Sequence, residues 1–265
     1  MRKYLEVFKW SFKMQFVWRF DVAMTMVATI GRILAAWILW SAVFTGRDVV
    51  SGFTFHSMLS YYLVSSFLTS LDMSPKISGE VSYLIKDGGF SKHMVTPMNP
   101  FGYFTYMIAG EATFHLGFSI LATIISAFLF KINITFAPDM GRIILGIVIV
   151  LLGLLFMAGY HYFIGILAFK FVDIDFFLHI QGAILAFSTG SLVPLSLLPD
   201  VVINILRFLP FTHIVYTPAM LLTGQIDINE GFFALVVVLV WVSVMIFIGQ
   251  LTYKRLRIRY EGVGI

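Results

Sequence analysis

Glu111 and His115 stand four residues apart inside an apolar run, so they share one face of any helix formed there. A glutamate and a histidine at that spacing can bind a metal, relay a proton or line a polar path. The metal reading is weak, because two ligands without a third do not make a site, and the chain has neither an H-E-x-x-H motif nor a single cysteine. Arg32 and His161 also fall within apolar runs, and Asp175 and His179 share a face near the end of another. Ionisable groups at such depth are costly in hydrocarbon, so each marks a buried pair or a working site. Arg32 and Glu111 have opposite sign and form a candidate pair across two helices. In the structural reading the pair fixes helix register; in the functional reading Arg32, Glu111, His115 and His161 line a substrate path or gate. Both readings stay open at this point.

No other chemistry is evident. The sequence lacks the G-x-x-x-x-G-K-[ST] phosphate loop and the G-x-S-x-G nucleophile elbow. We therefore expect no catalytic residue, bound cofactor or metal on this chain. Gly153, Gly159, Gly182 and Gly190 lie in apolar runs, where close helix packing is the ordinary explanation.

The elements that must position these residues are membrane helices. Of 265 residues, 59% are hydrophobic and only 12% charged, and the mean hydropathy is +0.92. A water-soluble domain of this size needs more charge to cover its surface. The net charge of +4 does not point to nucleic acid, since the basic residues cluster at the ends of apolar runs. Charges scattered through residues 2–19 also argue against a cleavable signal peptide. A bilayer core takes roughly 20 mostly apolar residues in a helix. Stretches near 22–44, 57–72, 101–130, 143–169, 176–194 and 231–252 are predicted to span it, giving an all-α membrane protein with about six transmembrane helices. The second is short and rich in hydroxyls. Lys and Arg gather at one set of ends, in 2–19, 76–92, at Lys170 and in 254–259. The rule that cytoplasmic loops are rich in Lys and Arg then puts both termini in the cytoplasm.

Three segments between the spans have character of their own. Residues 1–21 read as an amphipathic interfacial helix, with Leu5, Phe8, Phe12 and Phe16 on one side and Arg2, Lys3, Glu6, Lys9 and Lys13 on another. Residues 73–100 form the largest cytoplasmic loop. Within it Ile77, Val81, Leu84 and Ile85 have helical spacing, and Gly88 and Gly89 end the helix. Such a helix can dock in the groove of a partner, or it can be an ordinary surface helix. Residues 195–230 are apolar but broken by Pro199, Pro210 and Pro218. Short helices near 199–208 and 213–223 are predicted there, as a re-entrant hairpin on the extracellular side.

The order of these features resembles the ABC-2 type permeases, the transmembrane subunits of ATP-binding-cassette exporters, and within them the six-span bacterial members whose ATPase is a separate polypeptide. The match lies in the basic helix at 2–19, in Gly79-Glu80-Val81-Ser82-Tyr83-Leu84 followed by Thr96-Pro97-Met98-Asn99-Pro100, and in Leu198-Pro199, Leu209-Pro210-Phe211 and Tyr216-Thr217-Pro218. The resemblance implies two permease chains, identical or homologous, above two ATPase subunits. ATP and Mg would be bound by that ATPase, and the protein would reside in the bacterial inner membrane among its lipids. The loop at 73–100 would hold the coupling helix, with Glu80, Val81, Leu84, Ile85 and Lys86 at the ATPase contact. A hydrophobic or amphipathic export substrate is the expectation. The alternative is an ion- or proton-coupled secondary carrier relaying protons through Glu111, His115 and Asp175, although the halves of the chain show no evident repeat.

Overall fold

Long apolar runs satisfy their backbone groups locally, and nearly every such run here has become a helix. The computed structural model describes residues 2–171 and 174–259, the side chains of Asp175 and Arg259 apart. It is 78% helix with no strand among the described residues. The helices in chain order are α1 (Arg2–Met14), α2 (Arg19–Val43), α3 (Phe55–Leu71), α4 (Pro75–Lys86), α5 (Ser91–Val95), α6 (Pro100–Leu129), α7 (Met140–Ile166), α8 (Asp175–Ser188), α9 (Asp200–Leu206), α10 (Tyr216–Leu222) and α11 (Ile228–Leu256).

Local chemistry sets several of the ends. Thr54 and Ser57 form a reciprocal capping box at the start of α3. The Asn99 side chain accepts from Phe101 N, and Pro100 takes the first helical position of α6. Asp139 caps α7 through Gly141 N. Gly88, at φ +78°, ends α4 in the left-handed conformation. Gly224, at φ +74°, ends α10 likewise, and Gln225 N donates to Met220 O at 2.8 Å.

Four helices, α2, α6, α7 with its terminal turn, and α11, are long and apolar enough to cross a bilayer, or five spans if the bent α9–α10 pair counts as one. The expected second and fifth spans are the short ones. α3 has 17 residues and α8 has 14, about 26 and 21 Å of helix against a core of about 30 Å. The six-span expectation thus meets four full-length helices among the described residues. α8 stops at Ser188, well before the predicted end at 194, and Tyr216 N donates to the Thr189 carbonyl at 3.0 Å where the chain meets the hairpin. The hairpin itself bends by 84° between α9 and the 210–222 segment.

The apolar side chains gather in two clusters. One lies among α2, α3, α7, α10 and α11, around Tyr61, Ile149, Phe156, Leu221 and Val238; the other joins α4 to α6 and α7, around Ile77, Val81, Phe104, Tyr162 and Ile166. These define two ends of the bundle, an α4 end and a hairpin end.

The N-terminal segment differs from a single helix over 1–21. It breaks after Met14, turns through residues 15–18 and restarts at Arg19. α1 runs alongside α6 in the same direction. Tyr4 stacks on Tyr106, Phe12 meets Phe114 edge-on and Phe16 meets the same ring. Gly110 makes this possible, since a Cβ there would sit 2.4 Å from the Phe8 carbonyl oxygen. Lys3 donates to Pro97 O, and the Tyr4 hydroxyl accepts from Asn99 N at 3.1 Å, tying α1 to the loop that opens α6. The side buried on α6 is centred on Ser11, while Leu5, Trp10 and Phe16 stay exposed.

Candidate functional site

A cavity of about 550 Å³ opens between the α1–α2 elbow, α2, α3, the start of α4 and α6. Its lining includes Asp21, Thr25, Arg32, Thr69, Ser70, Asp72, Lys76, Glu111 and His115. On α2 the polar residues fall 3–4 apart and form a ladder on one face. Thr25 Oγ1 donates to Asp21 O at 3.0 Å, Thr29 Oγ1 to Thr25 O at 2.9 Å, and Arg32 Nη2 to Thr29 Oγ1 at 3.2 Å. From α3 the Ser70 hydroxyl donates to Ser119 Oγ of α6 at 2.8 Å. Asp72 follows the last residue of α3 and accepts from Ser74 N at 3.0 Å and from the Ser74 hydroxyl.

The structure gives Glu111 a partner other than the one expected. Lys76, in the first turn of α4, reaches its carboxylate at 2.5 Å, with the lysine side chain 53% exposed and the glutamate 12%. Arg32 has no carboxylate within ion-pair distance among the described residues, and its recorded side-chain hydrogen bond goes to Thr29. Relative height is the reason. Trp37 of α2 stacks on Phe130 at the far end of α6, with centroids 6.0 Å apart. Counted from that level at the helical rise, Arg32 lies roughly 20 Å nearer the hairpin end than Glu111. His115 lies on the same cavity, one turn beyond Glu111.

His161 belongs elsewhere. It is buried on α7, its Nδ1 3.1 Å from Ser78 Oγ of α4. The Ser78 hydroxyl donates to Pro75 O at 2.9 Å, so the ring Nδ1–H donates to the serine, and Nε2 is left as an acceptor without a partner. His179 is exposed on α8, and Asp175's side chain lies outside the described residues, so the relay through Glu111, His115 and Asp175 has its first two members on one cavity and its third unplaced. Among the described residues no group of three His, Asp or Glu could hold a metal ion.

α4 divides the expected contact residues between its two sides. Ile77, Ser78, Val81, Ser82 and Ile85 are buried, Val81 at 0% exposure against Gly165 of α7. Glu80 and Leu84 are half-buried, Lys86 is exposed, and Tyr83 is 64% exposed. Val81 and Ile85 therefore hold the helix to its own bundle. The outward stripe runs through Gly79, Tyr83, Lys86 and Asp87, with Val95 beyond it on α5. Burial raises the Glu80 carboxyl above its ordinary range, with repulsion from Glu111 adding to it and Lys92 and Lys76 opposing.

Sequence reasoning overlooked Lys76 and Asp72 as cavity residues, while the hydroxyls of the second span, Thr69 and Ser70 among them, suggest helix packing or a polar path and do line it. The side-chain types of Lys76 and Asp72 were visible, but nothing in the spacing set α4 across Glu111. The signal that was available is the period of Asp21, Thr25 and Arg32 along an otherwise apolar helix.

No curated protein matches the chain. A family model described as "ABC-2 family transporter protein" matches residues 30–264, which include α3–α11, most of α2, both apolar clusters and the cavity residues from Arg32 onward. That match spans most of the sequence and agrees with an all-helical bundle of several apolar spans, and the chain belongs to the ABC-2 family of membrane transporter proteins.

Proposed function

We propose that this chain is the permease subunit of an ATP-driven exporter, that a separate ATP-binding-cassette ATPase binds and hydrolyses ATP with Mg, and that α4 is the element this ATPase grips. The observation that carries the reading is the two-sidedness of α4 in a chain without a nucleotide-binding motif. One side is packed into α7 and the other presents Tyr83 with half-buried Leu84 beside it. An outward aromatic flanked by an aliphatic is the kind of anchor that carries helix-in-groove binding. The lysine- and arginine-rich ends of the helices support an orientation with α4 and both termini in the cytoplasm and the hairpin outside, and the reading takes the membrane to be the inner one. Two permease chains would complete the path. The substrate is amphipathic, since the cavity joins polar groups to an apolar flank.

The test separates the two sides of α4. Tyr83→Asp should abolish pull-down of the ATPase while folded yield stays near the parent. Val81→Asp should lower folded yield itself, because it buries a charge against Gly165. Cysteines placed at Ser51, Asp139 and Asn229 of this Cys-free chain should label from outside, and one at Ser91 should not. Assembly and transport that survive Asp at both Tyr83 and Leu84 would remove α4 as the coupling element. Transport by the purified chain without an ATPase would replace the exporter by a secondary carrier.

A further inference from the structure

Building on the permease reading, we infer that the cavity between α2, α3 and α6 is a headgroup site for a zwitterionic amphiphile, whose acidic group binds Arg32 and whose amino group faces Asp21 and Asp72. The charges in the cavity are sorted by depth. Near the α4 end lie Asp21, Asp72, Glu111 and Lys76, and the Lys76–Glu111 pair is mutually satisfied. That leaves two carboxylates at the mouth. Farther in, Arg32 is the charge of the lining among the described residues, and it donates to the Thr29 hydroxyl on its own helix. An arginine near the middle of a span, without a carboxylate partner among the described residues, calls for an anionic group from elsewhere.

The spacing fits one headgroup. Arg32 lies 11 residues beyond Asp21, about 16 Å along α2 and on the same face. Its guanidinium reaches back one turn to Thr29, toward the mouth. The gap left is roughly 10 Å, which an ion-pair contact of about 2.8 Å at each end and a short phosphate-to-amine spacer would fill. A purely anionic headgroup meets on the way in two carboxylates that have no cation among the described residues, and a purely cationic one leaves Arg32 without a partner. The apolar part of the ligand also has its place. Phe20, Met24, Val27, Leu34 and Ile38 are exposed along α2 beside the cavity, so acyl chains can lie against α2 while the headgroup turns inward.

The same chemistry is offered by a resident membrane lipid and by a transported amphiphile. The experiment uses the full chain in nanodiscs containing equal amounts of phosphatidylethanolamine, phosphatidylglycerol and a dialkyl dimethylammonium lipid, with bound lipid read by native mass spectrometry. Phosphatidylethanolamine should be retained at least about tenfold over either other lipid, the ratio that 1.4 kcal/mol of selective binding gives. Arg32→Met should abolish that retention and Arg32→Lys should restore part of it. Asp21→Asn with Asp72→Asn should erase the preference over phosphatidylglycerol while binding persists. Folded yield and ATPase pull-down are measured on the same variants and should not change, so the site can fail while the permease reading stands. Equal retention of the three lipids, or Arg32→Met indistinguishable from the parent, overturns the site. Arg32→Met that loses only association between two copies of the chain also overturns it, assigning the arginine to a chain–chain contact. In the complex reconstituted with its ATPase, movement of the bound lipid across the bilayer identifies cargo, and binding without movement identifies a resident lipid; the site stands in both cases.

Discussion

Gly165 offers the sharpest test of how α4 is held. An added Cβ there would lie 2.8 Å from Val81 Cβ, 3.0 Å from Val81 Cγ1 and 3.2 Å from Ser78 Cα. Carbon atoms in contact prefer about 3.5–4.0 Å, so Gly165→Ala must push α4 away by about 0.5–1 Å. The neighbouring atoms are a branch point and backbone, which cannot swing aside. Overpacking of this kind costs about 1–3 kcal/mol. Alanine recovers up to ~1 kcal/mol of helix propensity, less at this position because α7 ends one residue later. The expected outcome is a net loss of about 1–2 kcal/mol in denaturant unfolding of the detergent-solubilised chain.

Gly159, on the same helix, is the control. Its added Cβ would meet Met245 Cβ at 3.4 Å, an ordinary contact, so Gly159→Ala should be neutral or stabilising by up to ~1 kcal/mol. Val81→Gly removes the two closest atoms. Combined with Gly165→Ala it should cost less than the sum of the single changes, with a coupling of at least about 0.5 kcal/mol. The displaced α4 should also weaken the response of ATPase activity to substrate. If Gly165→Ala raises stability as Gly159→Ala does, the close α4–α7 contact is wrong and the argument built on it falls.

Two further outcomes follow from the same geometry. Gly110→Ala places a methyl 2.4 Å from the Phe8 carbonyl oxygen and 3.1 Å from Phe12 N, so it should part α1 from α6 and lower an engineered Tyr4–Tyr106 cysteine cross-link several-fold, whereas Gly117→Ala, with open space around it, should leave the cross-link intact. His93 is buried against Phe90, Tyr103 and Phe104, and desolvation, with Lys92 adding to it, pushes its pKa down to about 4. The unfolded chain then binds the extra proton between about pH 6.5 and 4, so stability contributed by neutral His93 is present above that window and is lost as pH falls through it. His93→Phe should flatten the stability profile between those values in detergent.

Much of the helical layout was legible because membrane helices are set by length and apolar content. α6, α7 and α11 announce themselves that way, and the prolines at 199, 210 and 218 announce a broken segment. α3 and α8 were harder, since their apolar runs are no longer than helices that never cross a bilayer. The start of α2 was obscured for another reason, because nothing in the charges of residues 2–19 marks the elbow after Met14. The site was legible in its residue types and illegible in its pairings. Arg32 and Glu111 each stood out as a charge in an apolar run, yet their relative height depends on how α2 and α6 slide past each other, which Trp37 and Phe130 fix. Lys76 was hidden because a lysine just outside a span reads as an orientation signal until α4 is seen to fold back over α6. The glycines of the α1–α6 and α4–α7 contacts gave a signal of a kind, but spacing alone does not name the helix that approaches them.

α4 is where these observations meet. Its buried side is locked to α7 at Gly165 and through Ser78 to His161. Its first turn carries Lys76 into the cavity mouth, where Glu111 holds it. Its outward side presents Tyr83. A 12-residue helix is about 18 Å long and moves as a rigid piece. A pull on Tyr83 therefore cannot be absorbed locally. Beyond the apolar packing of Ile77 and Ile85, the restraints it strains are the Gly165 contact, the Ser78–His161 contact and the Lys76–Glu111 pair. The first is close-packed, and the second would leave a buried ring nitrogen without its hydrogen bond. In the third the lysine is half-exposed, so water can take over its ammonium, while the Glu111 carboxylate at the cavity mouth is 12% exposed. The Lys76–Glu111 pair is thus the weakest of the three restraints, and releasing it would leave Glu111 as a further unpaired carboxylate at the mouth of the cavity while Arg32, deeper on α2, stays in place.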